Sequence, residues 1–451
     1  MLEKIKSKKI FNIIFEKLKM RKKAKIIKYN KQLLHRLNIT EKFFQNFQIL
    51  KEMNKKFNLN IKDIDIETIY IINTNLGNEI LEIFNKINFF KLKELYLTNN
   101  LISDITLFEK IELKNIEKLW LDKNEISDIS VLEKVDFKEL KELNLQNNKI
   151  SDIKILEKTN FEKLERLSFA FNKIYNIQIL KNVNFKYLKD LYLNDTKISD
   201  INVFEKVNFK NLQILSLPDN EISDISVLEK VDFKELKELN LENNKITDIQ
   251  VLENVNFKKL EKLHLNDNKI SDINIFDKVN FKELKVLKLS YNKISAIDVL
   301  EKVNFKKLEV LTLDKNEIKE VDVLEKVNFK ELKKLYLYQN EISNINVLEK
   351  SILDKIEILS FSRNKISKID ILENVNFKFL KNLYLYDNNI SDLTALGNAN
   401  FEQLEQLNLD WNKISDINIF ERVNFNQLKI LYLEGNNISD INVLEKVNFK
   451  H

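Results

Sequence analysis

A period of 24 residues governs this chain. From Leu92 to His451 it runs through 15 copies and 360 residues without an insertion or a deletion. One column of asparagines marks the beat: Asn100, Asn124, Asn148, Asn172, Asn220, Asn244, Asn268, Asn292, Asn316, Asn340, Asn364, Asn388, Asn412 and Asn436, with Thr196 in the one place where the amide is missing. A chain with such a beat buries its apolar surface by stacking like units, so a single core lengthens with every copy. The 451 residues therefore do not imply separate globular domains, as they would in a chain without repeats.

One copy shows the local logic. In Leu140-Lys-Glu-Leu143-Asn-Leu145-Gln-Asn-Asn148-Lys-Ile150-Ser-Asp-Ile153, Leu143 and Leu145 alternate with polar residues, which is the period of a strand with one buried face. Copies stacked in one register make a parallel sheet with strands roughly 4.8 Å apart. The asparagine falls where the strand turns into the interior. There its amide can satisfy backbone groups of its own and the adjacent coil, which would otherwise cost about 1–3 kcal/mol each. A hydroxyl offers fewer bonds, so Thr196 is expected to be a local weak point. Ile150, Ile153, Leu156 and Phe161 carry the apolar set round the coil. The segment from Asp152 to Phe161 is expected to return as one short helical turn started by the Ser/Asp pair.

The pattern Leu-x-x-Leu-x-Leu-x-x-Asn-x-Ile resembles the leucine-rich-repeat signature over about four fifths of the chain. That resemblance implies an α/β solenoid of about sixteen strands. A curved parallel β-sheet would line its concave face and short helical or irregular segments its convex side. It also implies a binding scaffold. The strict Asn-Lys-Ile-Ser-Asp-Ile motif is similar to that of internalins and of a phosphatase-regulating leucine-rich-repeat subunit, whose copies are slightly shorter. Asn124 to Leu145 is identical to Asn220 to Leu241, which points to duplication of a block of several repeats.

Three regions follow. Residues 1–60 depart from the repeat. They hold 17 Lys/Arg against 4 Asp/Glu, a surplus of +13 on a body of −8. Apolar residues at helical spacing, and the capping box Asn38-Ile-Thr-Glu41, predict three short helices forming a cap on the array. Lys9 to Leu18 and Lys25 to Leu37 also resemble an F-box-like module. That likeness implies a substrate adaptor whose partner is a ubiquitin-ligase subunit. Residues 61–91 form a degenerate first repeat, with Ile66, Ile69 and Ile71 in the strand and Thr74 in the asparagine column. Residues 92–451 are the regular array.

Composition excludes several chemistries. There is no cysteine, so there are no disulfides, thiolate metal sites or cysteine nucleophiles, and a reducing, cytoplasmic setting is favoured. Internalin-like export to the surface is the competing expectation. No segment reaches the roughly 18 consecutive apolar residues of a membrane span. The three histidines, His35, His264 and His451, form no constellation, and His264 reads as a lone exposed side chain. Asp128, Asp152, Asp200 and their equivalents recur with the repeat beside a serine. They read as capping residues rather than calcium ligands, because glycine-rich loops are missing. No catalytic site and no cofactor are expected.

The copies themselves provide a comparison. Core positions are nearly constant, whereas the outward column between the paired leucines varies: Tyr96, Trp120 and Tyr192 in the early copies, Asn240 and Lys288 in the middle, then Tyr336, Tyr384 and Tyr432. From the eleventh copy on, aromatics gather: Tyr336 with Tyr338, Tyr384 with Tyr386, then Trp411 and Tyr432, with Arg363 and Asp387 among them. Tyr96 and Trp120 make a smaller group near the other end. Aromatic anchors ringed by polar groups favour a protein ligand, and the acidic body argues against nucleic acid. Tyr384 and Trp411 are expected to face outward, so that losing either costs binding rather than stability. At residue 451 the fifteenth copy closes in phase, which predicts a frayed last repeat or weak end-to-end association through Ile438, Ile441, Leu444, Val447 and Phe449.

Overall fold

The structure is a computed structural model and describes residues 49–52, 54–55, 61, 66–87, 89–423 and 425–445. The cap or F-box-like module expected in residues 1–60 lies outside these, apart from helical backbone at 49–52 and 54–55. The chain forms two compact units. One comprises Met1–Ile174 with Asn182–Leu188, the other Tyr175–Lys181 with Lys189–His451.

In the first unit β1 (Thr68–Tyr70), β2 (Glu94–Tyr96), β3 (Lys118–Trp120), β4 (Glu142–Asn144) and β5 (Arg166–Ser168) pair in parallel. The register is 26 residues between β1 and β2, Thr68 opposite Glu94, and 24 thereafter. Thr74 donates its N–H and its hydroxyl to Asn100 Oδ1, at 3.0 Å and 2.5 Å, so it stands in the asparagine column. The second unit contributes eleven strands of the same kind, from β6 (Asp190–Tyr192) to β16 (Ile430–Tyr432). Among them are β11 (Val310–Thr312), β12 (Lys334–Tyr336), β13 (Ile358–Ser360), β14 (Asn382–Tyr384) and β15 (Gln406–Asn408), paired in parallel at the 24-residue step.

The core is the one the period dictates. Leu143, Leu145, Ile150, Ile153, Leu156 and Phe161 are all buried, and the phenylalanines of successive coils meet, as in Phe137, Phe161 and Phe185 with centroids 6.4 Å and 6.3 Å apart. The coil after β1 returns through an α-helix, Glu79–Lys86, and each later one through a short 3-10 turn, such as Ser130–Glu133 or Lys154–Lys158. The aspartate opens it: Asp128 Oδ1 accepts the N–H of Ser130 at 2.7 Å and Asp152 Oδ1 that of Lys154 at 2.8 Å. These carboxylates are thereby committed to the backbone.

The asparagines form a continuous hydrogen-bond ladder within each unit. Asn316 Nδ2 donates to Leu313 O of its own coil and Leu289 O of the preceding one, both at 3.0 Å, while its Oδ1 accepts the Ile294 N–H at 3.0 Å. Each carbonyl takes two amides, since Leu313 O also accepts Asn340 Nδ2. Thr196 keeps part of this: its hydroxyl donates to Leu193 O at 2.8 Å and its N–H to Asn220 Oδ1 at 3.1 Å. One proton replaces two, and the backbone beside it takes an extra left-handed residue, Lys197 with φ 65.

Just before every asparagine stands a residue in the left-handed region, including Lys123, Phe171, Tyr291, Arg363, Asp387 and Trp411. Glycine holds this place once, at Gly435 with φ 66. No β-branched residue occupies the column from Asn99 to Gly435, although isoleucine fills the chain, because a branched Cβ is penalised most there. The N–H of this residue bonds to the next coil, Arg363 to Tyr386 O at 2.8 Å and Asp387 to Asp410 O at 2.8 Å. The ladder thus runs past the short strands and fixes the turn.

At the last described strand the row is open. Ile430, Tyr432 and Ile441 are 42%, 41% and 65% exposed, while Val443 is buried. Val447 and Phe449 lie outside the described residues.

Candidate functional site

Three positions per coil face away from the core, at the first and third strand residues and two residues further on, and the left-handed residue stands beside them. In β12 and β14 the last two of the three hold tyrosine, Tyr336 with Tyr338 and Tyr384 with Tyr386. The coil between them, β13, puts serine in both places, Ser360 and Ser362. Both serines are buried, 6% and 0% exposed, as are the serines of these columns at Ser216 and Ser290, so they leave room above them for the tyrosines on either side. Tyr338 and Tyr386 therefore meet although two coils separate them, with ring centroids 5.9 Å apart. Ser362 Oγ accepts the Tyr386 N–H at 3.2 Å.

The left-handed column completes the group. Arg363 lies over the Tyr338 ring, 5.8 Å from its centroid, and its Nε is 3.2 Å from Asp387 Oδ2. Burial, then the hydrogen bond with Tyr338, pushes the Tyr386 phenol up to about 12. Beside these residues opens a recess of about 470 Å³ lined by Arg363, Tyr386, Asp387, Asn408, Asp410 and Trp411. Trp411 is 59% exposed. Its indole rests on the next coil, where a Cβ on Gly435 would fall 2.6 Å from Trp411 Cδ2. The glycine makes room for the ring.

Tyr336 and Tyr384 sit in the neighbouring column rather than on the recess. Tyr384 faces outward but is half-buried, and its hydroxyl donates to Gln406 Oε1 at 3.2 Å and accepts from Asn382 Nδ2 at 3.1 Å. Its loss would disturb the fold as well as the face. Tyr432, on β16, stands apart from both pairs.

The first unit carries a second aromatic group. Tyr70 stacks on Tyr96, centroids 4.5 Å apart and planes 11° apart, and Trp120 meets Tyr96 edge-on at 5.1 Å. Burial, then the charge of Glu94, pushes the Tyr96 phenol up to about 12. The Trp120 Nε1 is buried without a partner among the described residues. Beside these rings Lys118 lies 3.1 Å from Glu94 and 3.9 Å from Glu142, and Arg166 3.4 Å from Glu142, so the charges neutralise one another. Here Tyr96 is held between two rings, while Tyr70 remains 64% exposed.

Sequence reasoning missed Tyr70, whose 26-residue offset takes it out of the column, and the partners of Trp411, namely Gly435, Asn408 and Asp410. A glycine at 435 in a chain holding three was the available signal. His264 differs from its expectation too. It faces outward from its strand but is only 9% exposed, its Nε2 has no partner among the described residues, and burial followed by the charge of Lys288 lowers its pKa to about 4. Asp314, which accepts the Tyr338 N–H at 2.7 Å and the Ser290 hydroxyl at 3.2 Å, is raised by burial. Among the described residues no three His, Cys, Asp or Glu side chains are grouped to hold a metal ion.

The family described as "Leucine Rich repeats (2 copies)" matches residues 91–134, 114–158, 210–254 and 258–302. No curated protein matches. Among solved structures, an internalin, InlF, from Listeria monocytogenes is 22% identical over 90% of this chain and 95% of its own, with a TM-score of 0.53. A leucine-rich-repeat protein of Leptospira interrogans is 24% identical over 86% and 90%, TM-score 0.61. The functional domain of InlJ from Listeria monocytogenes, which includes a cysteine ladder, is 20% identical over 84% and 76%, TM-score 0.60. This chain has no cysteine and puts its asparagine ladder through every coil but one of the array. The chain thus carries leucine-rich repeats at the matched residues, and its parallel strands and short 3-10 turns are those of a leucine-rich-repeat solenoid.

Proposed function

We propose that the chain is a non-enzymatic scaffold that binds a protein ligand on the open, concave strand face of the second unit, between β12 and β16. One observation carries this reading: Tyr338, Tyr386, Arg363, Asp387 and Trp411, drawn from different coils, gather about a single recess. Aromatic and arginine anchors with a polar surround are the composition of interface hot spots. The first unit offers rings packed on one another and charges already paired, which favours it less. A protein without cysteine suits a cytoplasmic setting; fractionation that finds the protein outside the cell would replace that setting with an exported one.

Affinity capture with the intact chain, followed by mass spectrometry and a binding titration of the recovered partner, tests the proposal. Trp411→Ala and Tyr384→Ala should each cost on the order of 2 kcal/mol of binding. Trp411→Ala should leave the fold unchanged, whereas Tyr384→Ala also lowers stability. Full binding by both variants together with its loss in Trp120→Ala would move the site to the first unit.

A further inference from the structure

The recess has a chemistry of its own, and the following rests on the reading that this face is the binding face. In the outward and left-handed columns of β13 to β16 stand three carboxylates, Asp387, Asp410 and Glu434, against one guanidinium, Arg363. Each of the two that line the recess is engaged through one oxygen. Asp387 Oδ2 holds Arg363 at 3.2 Å, and Asp410 Oδ1 accepts the Glu434 N–H at 2.6 Å. Their second oxygens carry no bond among the described residues. Trp411 is seated on the Gly435 backbone and is still more than half exposed, so one indole face is fixed from behind and the other is open. The left-handed place that Gly435 fills is held in every other copy by a residue with a side chain, so the seat is particular to this coil. A fixed aromatic face beside two partly open carboxylates attracts a cation: the ring quadrupole holds its flat side and the oxygens its N–H groups.

We infer that the recess lined by Asp387, Asp410, Tyr386 and Trp411 is the seat of an arginine side chain on the protein ligand. A guanidinium is planar and weakly hydrated, so it stacks on an indole while its fork reaches a carboxylate. An ammonium, as a compact hydrated charge, can do only one of these well. Arg363 does not fill this role itself. It lines the recess too, but its Nε is held by Asp387 and its guanidinium lies over Tyr338, which leaves Asp410 as the lining carboxylate without a cation.

The test uses the full chain carrying Trp120→Phe, which leaves Trp411 as its only tryptophan. Hexa-arginine, hexa-lysine and hexa-citrulline peptides are titrated against its fluorescence. Hexa-arginine should perturb the emission saturably and bind more tightly than hexa-lysine, and hexa-citrulline, the uncharged shape match, should leave it unchanged. Asp410→Asn should weaken hexa-arginine about tenfold, the equivalent of about 1.4 kcal/mol. Glu373→Gln, which removes a charge from the 3-10 turn side, should not weaken it. Equal binding of hexa-citrulline, or equal losses in Asp410→Asn and Glu373→Gln, would overturn the inference. The broader reading is judged separately: if Asp410→Asn keeps the native partner while Tyr386→Ala loses it, the face stands and the arginine seat does not, and if both variants keep it, the face falls as well.

Discussion

Replacing Asn316 tests the ladder at its most regular point. In Asn316→Ala the Ile294 N–H loses the oxygen 3.0 Å away and keeps no other partner among the described residues. Leu289 O and Leu313 O each retain a second amide, Asn292 Nδ2 at 3.1 Å and Asn340 Nδ2 at 3.0 Å, so neither carbonyl is orphaned. The loss is therefore one buried donor, worth about 1–3 kcal/mol, plus the small void of the amide. A total of about 2–4 kcal/mol follows. Asn316→Asp is the sharper probe. The carboxylate can still accept from Ile294, but its other oxygen now faces the three carbonyls the amide served, Leu289 O, Leu313 O and Asp314 O, and nothing there donates to it. At neutral pH the aspartate variant should be less stable than the alanine variant, and it should recover as acid protonates the carboxyl and restores one donor. Urea unfolding gives the totals, and amide exchange at Ile294 and its neighbours gives the local opening, since repeats open by neighbouring units. An aspartate variant as stable as the parent at pH 7, or an alanine variant with unchanged exchange at Ile294, would refute the accounting.

Other predictions are independent of the ladder. Gly435→Ala puts a Cβ within 2.6 Å of the indole and on a φ of 66, so it should cost about 1–2 kcal/mol and shift Trp411 fluorescence; adding Trp411→Ala should restore part of the loss. His264 has a folded pKa of about 4 against 6.5 unfolded, so the unfolded chain binds the extra proton between these values. Stability should fall as pH drops through that window by up to about 3 kcal/mol, and His264→Gln should flatten that part of the profile in urea titrations at stepped pH. Glu309→Gln breaks the exposed inter-coil pair with Lys333 at 2.7 Å and should change stability by under about 1 kcal/mol, less still in high salt.

What the sequence disclosed follows from which interactions are periodic. Leu143, Ile150 and Phe161 recur because every coil needs them, and so the core and the parallel strands are legible from spacing alone. The turn at 154–158 was legible only as helical, because the choice of 3-10 geometry depends on how tightly the coil must close before Phe161. The left-handed column was written in the sequence as a negative, an absence of β-branched residues from Asn99 to Gly435, and a positive search for glycine overlooks it. At the candidate site the members were legible as aromatics, but their grouping was not. Tyr338 and Tyr386 look two coils apart, and only the burial of Ser362 between them brings the rings together.

That last point bears on how a constant frame acquires a particular site. Parallel strands hold outward side chains at one spacing in every coil, so no single strand can build a pocket. Variation in size between coils can. Small residues at Ser360 and Ser362 let large neighbours lean inward, and the glycine at 435 lets Trp411 lie flat, while Asp410 between the large groups keeps the floor polar. The frame tolerates each change because its own bonds run through the asparagine amides and the backbone, which none of these side chains replaces. A graft follows from this. Moving tyrosine, serine and tyrosine into the same column of three middle coils, as Glu242→Tyr, Asn266→Ser and Ser290→Tyr, should bring the two new rings together over the serine without loss of fold. The coupling between them, measured by a double-mutant cycle, should be about 0.5–1.5 kcal/mol. A coupling near zero with the fold intact would show that the convergence of Tyr338 and Tyr386 depends on more than the small residue between them.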